Sequence, residues 1–178
     1  MKGKWLAILI LSLFFMGCLA MEPLKVREEK YGKNIPVITN SFASKEIRPG
    51  ATWKVYLAAK DDDGDMKNIF SSIDQPGVGT YPISITRIKP EDQRELSGYI
   101  YLFTANLQQG LNMLNLTLNV QIGDQAGHYS APVSFPLSFN ELYSQEPPPK
   151  DAFKEKDLGP IMIRLRTLQD GAGTGNEW

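Results

Sequence analysis

The stretch that decides the fold is residues 114–122, which read LNLTLNVQI. Apolar side chains occupy every second position: Leu114, Leu116, Leu118, Val120 and Ile122. The positions between them are polar. A period of two is typical of a β-strand that buries one face and exposes the other. The stretch therefore predicts a half-buried strand.

Similar short runs, rich in Val, Ile, Thr, Tyr and Phe, extend over residues 35–142 and are separated by clusters of Gly, Pro, Asp and Asn. They predict further strands at 36–39, 52–58, 66–73, 81–88, 96–105 and 129–139. No convincing long helix lies between them, so the crossover connections of a parallel sheet are missing. An all-β fold follows: an immunoglobulin-like antiparallel β-sandwich of about seven strands.

Side-chain alternation also predicts which residues face the core. Trp53, Val55 and Leu57 share one face of the strand at 52–58. In the strand at 81–88 the apolar members are Ile83, Ile85 and Ile88. The strand at 129–139 contains two prolines, which cannot donate ladder hydrogen bonds, so we expect it at a sheet edge.

Composition limits the function classes. The chain has 178 residues, of which 42% are hydrophobic and 22% charged, which suits one domain with tails and excludes a disordered or collagen-like chain. A net charge of −1 gives no general attraction to nucleic acid. A single cysteine and a single histidine leave little material for a transition-metal or histidine-based catalytic centre. Nucleic-acid binding is therefore not expected.

The first residues have the pattern of an export signal. Lys2 and Lys4 precede an apolar run from Trp5 to Met16, which is too short to cross a bilayer as a helix of about 20 residues. We therefore predict a signal peptide at residues 1–17. An uncleaved N-terminal anchor is the alternative.

The end of this signal, Phe15-Met16-Gly17-Cys18, resembles the lipobox of bacterial lipoproteins. Gly17 and Cys18 match that pattern, whereas Phe15 and Met16 depart from its commonest residues. The resemblance implies that Cys18 carries a covalent lipid and begins the mature chain, anchored to a membrane of the bacterial cell envelope by its acyl chains. The resemblance also implies a preference for the outer over the inner membrane, because Leu19, and not an aspartate, follows the cysteine. A chance unmodified cysteine is the alternative.

Two turns resemble those of bacterial immunoglobulin-like, fibronectin-like and cadherin-like modules. They are AAKDDDGD at residues 58–65 and DQAGH at residues 124–128. The resemblance implies a binding or spacer module on the cell envelope, seldom an enzyme.

The remaining segments are assigned from their composition and residue pattern. Residues 18–34 are predicted to be the lipidated cysteine and a tether, with a short helix at 24–31 as an alternative. Residues 143–160 form a Pro-rich charged linker, residues 161–168 an extra C-terminal strand, and residues 169–178 a disordered tail. The extra strand either returns to an edge of the sandwich or is presented to a partner by strand addition. Its candidate partner-binding residues are Ile161, Ile163, Arg164, Leu165 and Arg166.

The acidic run at 61–65 is the densest group of oxygen ligands. Asp61, Asp63 and Asp65 form a candidate weak calcium site, because calcium takes six to eight oxygens. It is not an EF-hand loop, because the glycine is fourth in the run and not sixth. A solvated turn is the alternative.

Two other groups have ordinary structural interpretations. His128 with Asp124 and Ser130 superficially resembles a nucleophilic set, but residues so close in a hairpin rarely form a triad, and we assign them to a turn. The aromatic residues are assigned mainly to the sandwich core, with a sugar- or peptide-stacking platform as the alternative. They are Trp53, Tyr56, Tyr99, Tyr101 and Phe103.

Together these features predict a non-catalytic, membrane-anchored envelope lipoprotein whose sandwich mediates protein–protein interaction or assembly with an envelope protein. The alternative is a module that binds cell-wall glycan or calcium. No cofactor is expected beyond weakly bound calcium and the lipid on Cys18.

Overall fold

A computed structural model of the chain describes residues 22–104 and 115–166. These residues form one α-helix, ten β-strands and a short 3-10 helix at Pro90–Asp92. In chain order the elements are α1 (Leu24–Tyr31), β1 (Val37–Ala43), β2 (Glu46–Ile47), β3 (Thr52–Lys60), β4 (Met66–Gln75), β5 (Gly79–Thr80), β6 (Ser84–Arg87), β7 (Glu95–Phe103), β8 (Asn115–Asp124), β9 (Val133–Phe139) and β10 (Asp157–Pro160).

The strands form two sheets, which confirms the immunoglobulin-like sandwich. One sheet has the order β1-β3-β7-β10; the other has the order β2-β9-β8-β4, with β5 and β6 both paired to β4. Pairing is antiparallel except for β2 with β9 and β10 with β7. Strand β9 has β8 on one side, and on the other only the two residues of β2, so most of it lies at a sheet edge as its prolines predict.

The core lies between the sheets and follows the alternation in the sequence. From β8, Leu118, Val120 and Ile122 are fully buried. Trp53 of β3 is fully buried as well, and its Nε1 donates a hydrogen bond to the Ser44 carbonyl at 2.8 Å. The indole thus contributes a large apolar surface while its one polar atom stays satisfied.

Strand β6 has its faces reversed with respect to the prediction for Ile83 and Ile85, whereas Ile88 after the strand is buried as predicted. Ile83 and Ile85 are 63% and 57% exposed, whereas Ser84 and Thr86 are buried. The buried hydroxyls have partners in residues 157–166, which we call the C-terminal segment. Ser84 Oγ accepts a hydrogen bond from Met162 N at 2.8 Å, and Thr86 Oγ1 donates one to the Pro160 carbonyl at 3.0 Å. The strand turns its polar face inward because the inner side supplies these bonds.

The C-terminal segment is part of the sandwich. The strand expected at 161–168 lies earlier, at Asp157–Pro160, where it pairs with β7. Residues 161–166 contain no strand, and 167–168 lie outside the described residues. The chain then crosses to the other sheet, where Arg166 N donates to Tyr81 Oη at 2.7 Å and its carbonyl accepts from Gln75 Nε2 at 2.9 Å. The segment therefore bridges the two sheets along one side.

The predicted linker at 143–160 is likewise held against the domain. Lys54 N donates to Gln145 Oε1 at 2.9 Å, and Lys154 N donates to Ser97 Oγ at 3.0 Å. These bonds fix the segment along the outside of the four-stranded sheet, so it does not act as a free spacer.

The residues expected to form a tether include α1, which matches the helical alternative. None of its side chains is buried, but Glu28 reaches His128 at 3.2 Å, and the segment after it is held to Asp63 by Asn34. Residues 24–34 are therefore docked on the sandwich and are not a loose spacer. The predicted signal peptide, Cys18 and residues 169–178 lie outside the described residues. Within the described residues no helix is long and apolar enough to cross a membrane.

Candidate functional site

Three aspartates from distant parts of the chain meet at one end of the sandwich. Asp61 follows β3, Asp65 precedes β4, and Asp124 ends β8. The antiparallel pairing of β4 with β8 sets Met66 opposite Asp124, which brings the loops together. One carboxylate oxygen of each aspartate lies within 4.8 Å of the others, and the residues are only 2%, 6% and 6% exposed. We call these three residues the acidic cluster.

Backbone N–H groups fix each carboxylate in place. In each aspartate one oxygen accepts two such bonds from a neighbouring turn. The donors are Asp63 and Gly64 for Asp61, Gln125 and Ala126 for Asp65, and Gly127 and His128 for Asp124. These bonds therefore fix the direction in which the other oxygen of each carboxylate points.

Those remaining oxygens are poorly compensated. Asp61 Oδ2 and Asp65 Oδ1 are buried without a hydrogen-bond partner, while Asp124 Oδ2 lies 2.8 Å from His128 Nδ1. Burial, with the like charges of Asp124 and Asp61, raises the pKa of Asp65 to about 6. Among the described residues no lysine or arginine forms an ion pair with the cluster. The cluster is thus an excess of negative charge held out of water.

His128 connects the cluster to α1. Its Nδ1 faces Asp124 and its Nε2 lies 3.2 Å from Glu28 Oε1. Burial opposes protonation of the ring, but the hydrogen bonds with Glu28 and Asp124 outweigh it, so the pKa of His128 is raised. Gly127 beside it has φ +100°, and a Cβ there would lie 2.4 Å from an Arg27 guanidinium nitrogen. The turn therefore suits glycine both by its conformation and by its close approach to α1.

The candidate calcium ligands are corrected by this geometry. Asp63 lies outside the cluster: its carboxylate accepts hydrogen bonds from Asn34 N at 2.7 Å and Asn34 Nδ2 at 2.8 Å. These bonds lower the pKa of Asp63. Asp124 takes its place beside Asp61 and Asp65.

Ser130 does not complete a catalytic set with His128 and Asp124. Its Oγ donates to the Ala131 carbonyl at 3.0 Å and accepts from Ile122 N at 3.0 Å. The hydroxyl is thus engaged with the backbone, and the residue is only 3% exposed. This supports the assignment of these three residues to a turn.

The C-terminal partner-binding candidates are divided by burial. Ile161 and Leu165 are 3% and 2% exposed, Ile163 is half-buried, and Arg164 and Arg166 face solvent. The apolar members pack into the sandwich, so their side chains are not available to contact a partner. The exposed apolar side chain here is Met162, at 77%.

An aromatic row crosses the outer face of the four-stranded sheet. Only Trp53 of the candidates lies in the core between the sheets; Tyr56 is buried on the outer face, packed against Tyr99 and Phe153 with ring centroids 5.5 and 5.6 Å away. Tyr56 Oη donates to Glu155 Oε1 at 2.6 Å. The same carboxylate lies 3.0 Å from Lys54 Nζ. This part of the row is therefore covered by the chain itself, which leaves less of it for stacking a sugar.

The far end of the row is open. Phe103 is 60% exposed and packs edge-on against Tyr101, with ring centroids 5.0 Å apart. Together with residues 160–165 these rings line an open groove of about 400 Å³. This is the described aromatic surface best placed to touch another molecule on this face.

No protein-family model matches the chain, and no curated protein matches it in sequence. A similar solved structure is the CARDB domain of the PF1109 protein from Pyrococcus furiosus, in complex with di-metal ions. It is 9% identical, the match covers 61% of this chain and 88% of that chain, and the TM-score is 0.32.

Proposed function

We propose that this protein is a lipid-anchored, non-catalytic module of the bacterial cell envelope that binds another envelope protein close to the membrane surface. The anchor is Cys18, in a sequence that resembles a lipobox. The sandwich is the interaction module. We favour the outer membrane as the location of the protein, because Leu19 follows the cysteine.

The observation that carries this proposal is the position of α1. The helix begins at Leu24, six residues after Cys18, and is docked on the sandwich through Glu28 and His128. Six residues span at most about 20 Å. A lipid on Cys18 would therefore hold the sandwich at the bilayer surface, with the acidic-cluster end nearest to it.

The non-catalytic part rests on the side chains at that end. His128 has both ring nitrogens engaged by carboxylates, and the Ser130 hydroxyl is engaged by the backbone. His128 and Ser130 therefore do not form a nucleophile–base pair.

Membrane fractionation tests the anchor. Wild-type protein should remain with membranes after a high-salt wash, and Cys18→Ser should appear in the soluble fraction, because the acyl chains supply the binding free energy. Ser134→Ala changes an exposed residue of β9, far along the chain from Cys18. It is the control and should stay membrane-bound. A Cys18→Ser protein that stays with membranes would instead support the uncleaved anchor.

Site-specific photo-crosslinking tests the interaction. A photoreactive phenylalanine analogue is placed at Phe103 on one outer face and at Tyr129, 54% exposed, on the other. The proposal predicts a discrete crosslinked envelope protein from at least one position, lost in the Cys18→Ser background. Absence of a discrete product from both positions would contradict the proposed interaction.

A further inference from the structure

We propose that Asp61, Asp65 and Asp124 form a calcium site. This inference is independent of the lipid anchor.

Two oxygens of the acidic cluster are buried and uncompensated. Asp61 is 98% buried and Asp65 is 94% buried, and each has one oxygen with no partner. A buried polar atom without a hydrogen bond is costly, and a buried ionised carboxylate is more so. A fold that holds two such atoms beside a third carboxylate meets that cost most directly by binding a cation.

The donors in the acidic cluster are chemically suited to calcium. The groups that face one another are carboxylate oxygens, which are hard ligands. Oxygens that share one calcium ion at 2.3–2.6 Å lie at most about 5 Å apart, and the three cluster oxygens lie within 4.8 Å. Magnesium instead keeps several waters and uses one or two carboxylates, so three buried carboxylates favour calcium.

The acidic cluster is also pre-organised for an ion. Backbone N–H groups of two turns hold one oxygen of each carboxylate, so the site is set before an ion arrives. The imidazole of His128 takes no part as a ligand, because both of its nitrogens are engaged by Asp124 and Glu28. Water and backbone carbonyls would complete the coordination shell.

Bound calcium would have a structural consequence. It would join the loop after β3 to the turn after β8, at the end of the sandwich where α1 docks. The ion would remove the repulsion among the three carboxylates, so the folded domain gains stability on binding.

The test uses the full chain, purified in detergent and treated with a chelator. Calorimetric titration with CaCl₂ should show one saturable site. Thermal unfolding should shift upward by about 5–10 °C at a calcium concentration of about 100 times Kd. MgCl₂ should bind at least about tenfold more weakly.

Variants assign the site to its residues. Asp65→Asn and Asp124→Asn keep the side-chain shape and should each raise the Kd for calcium at least about tenfold. Asp62→Asn is the matched control from the same loop, because Asp62 is exposed and outside the cluster. Circular dichroism without calcium checks that the variants fold; Asp65→Asn should unfold at or above the wild-type temperature, since it removes a repelled charge.

Three results would overturn the proposal. They are no saturable binding and no thermal shift for the wild-type chain up to about 10 mM calcium, equal stabilisation by magnesium and calcium, and an equal loss of affinity in Asp62→Asn. The wild-type titration decides the question even if a cluster variant fails to fold.

Discussion

Leu165 provides a direct test of the C-terminal segment as part of the core. It is 2% exposed and belongs to the hydrophobic core although the chain is not in a strand there. Replacing a buried leucine by alanine costs about 2–5 kcal/mol, from lost transfer free energy and the cavity that remains. Because the segment lies at one side of the sandwich and can settle inward, we expect the lower half of that range, about 2–3.5 kcal/mol.

The assay is thermal and urea unfolding of Leu165→Ala followed by circular dichroism. A loss of that size corresponds to a fall in Tm of roughly 4–14 °C for a chain of this length. Met162→Ala is the matched control from the same segment: Met162 is 77% exposed, and its loss should cost less than about 0.5 kcal/mol. A Leu165→Ala protein that unfolds within about 0.5 kcal/mol of wild type would refute the reasoning and make the segment available as a docking strand.

Two further predictions concern the four-stranded sheet. Gly98→Ala should lower the free energy of unfolding by more than about 1 kcal/mol. The new Cβ would lie 2.4 Å from the Lys156 carbonyl oxygen and would separate β10 from β7. Urea unfolding measures the loss, and an unchanged stability would contradict the pairing of these strands. Tyr56 should ionise late, because burial and its hydrogen bond to Glu155 raise its pKa to about 12. Since the unfolded value is near 10, this group's contribution to stability is present below pH 10 and is lost as the pH rises through about 12. The pKa of Tyr56 is measured by titrating the phenolate absorbance of wild type and of Tyr56→Phe and subtracting one curve from the other. A difference curve centred near pH 10 would contradict the burial of this residue.

Strands with strong alternation could be predicted from the sequence because their faces are set locally. In β3 and β8 every second residue is apolar, and Val55, Leu57 and Leu118 are all fully buried as expected. In such a strand the alternation of its own side chains determines which face is buried, so no information from a distant part of the chain is needed.

Strand β6 shows where local pattern fails. Ile85 is exposed and Thr86 buried because Pro160, 74 residues later, supplies a hydrogen bond to the inner hydroxyl. The apolar residues alone suggested the opposite orientation. The missing partner was the C-terminal segment. The sequence allowed this segment to return to an edge of the sandwich, but it did not indicate that residues 157–160 pair with β7 or that Pro160 meets Thr86.

The candidate site was half predictable for a similar reason. Asp61 and Asp65 stood out in a dense acidic run, but Asp124 lies 59 residues after Asp65 and joins them only through the register of β4 with β8. The signal that could have found it is the DQAGH turn at residues 124–128, which follows a predicted strand just as the acidic run does. Asp63 was included because it is a neighbour in sequence, whereas its carboxylate binds Asn34.

The central claim, that this sandwich is a lipid-anchored envelope module, is tested most directly by intact-mass spectrometry of the protein extracted from membranes. The account predicts a chain that lacks residues 1–17 and carries acyl chains on Cys18. A chain that still begins at Met1, or a cleaved chain with an unmodified Cys18, would contradict it.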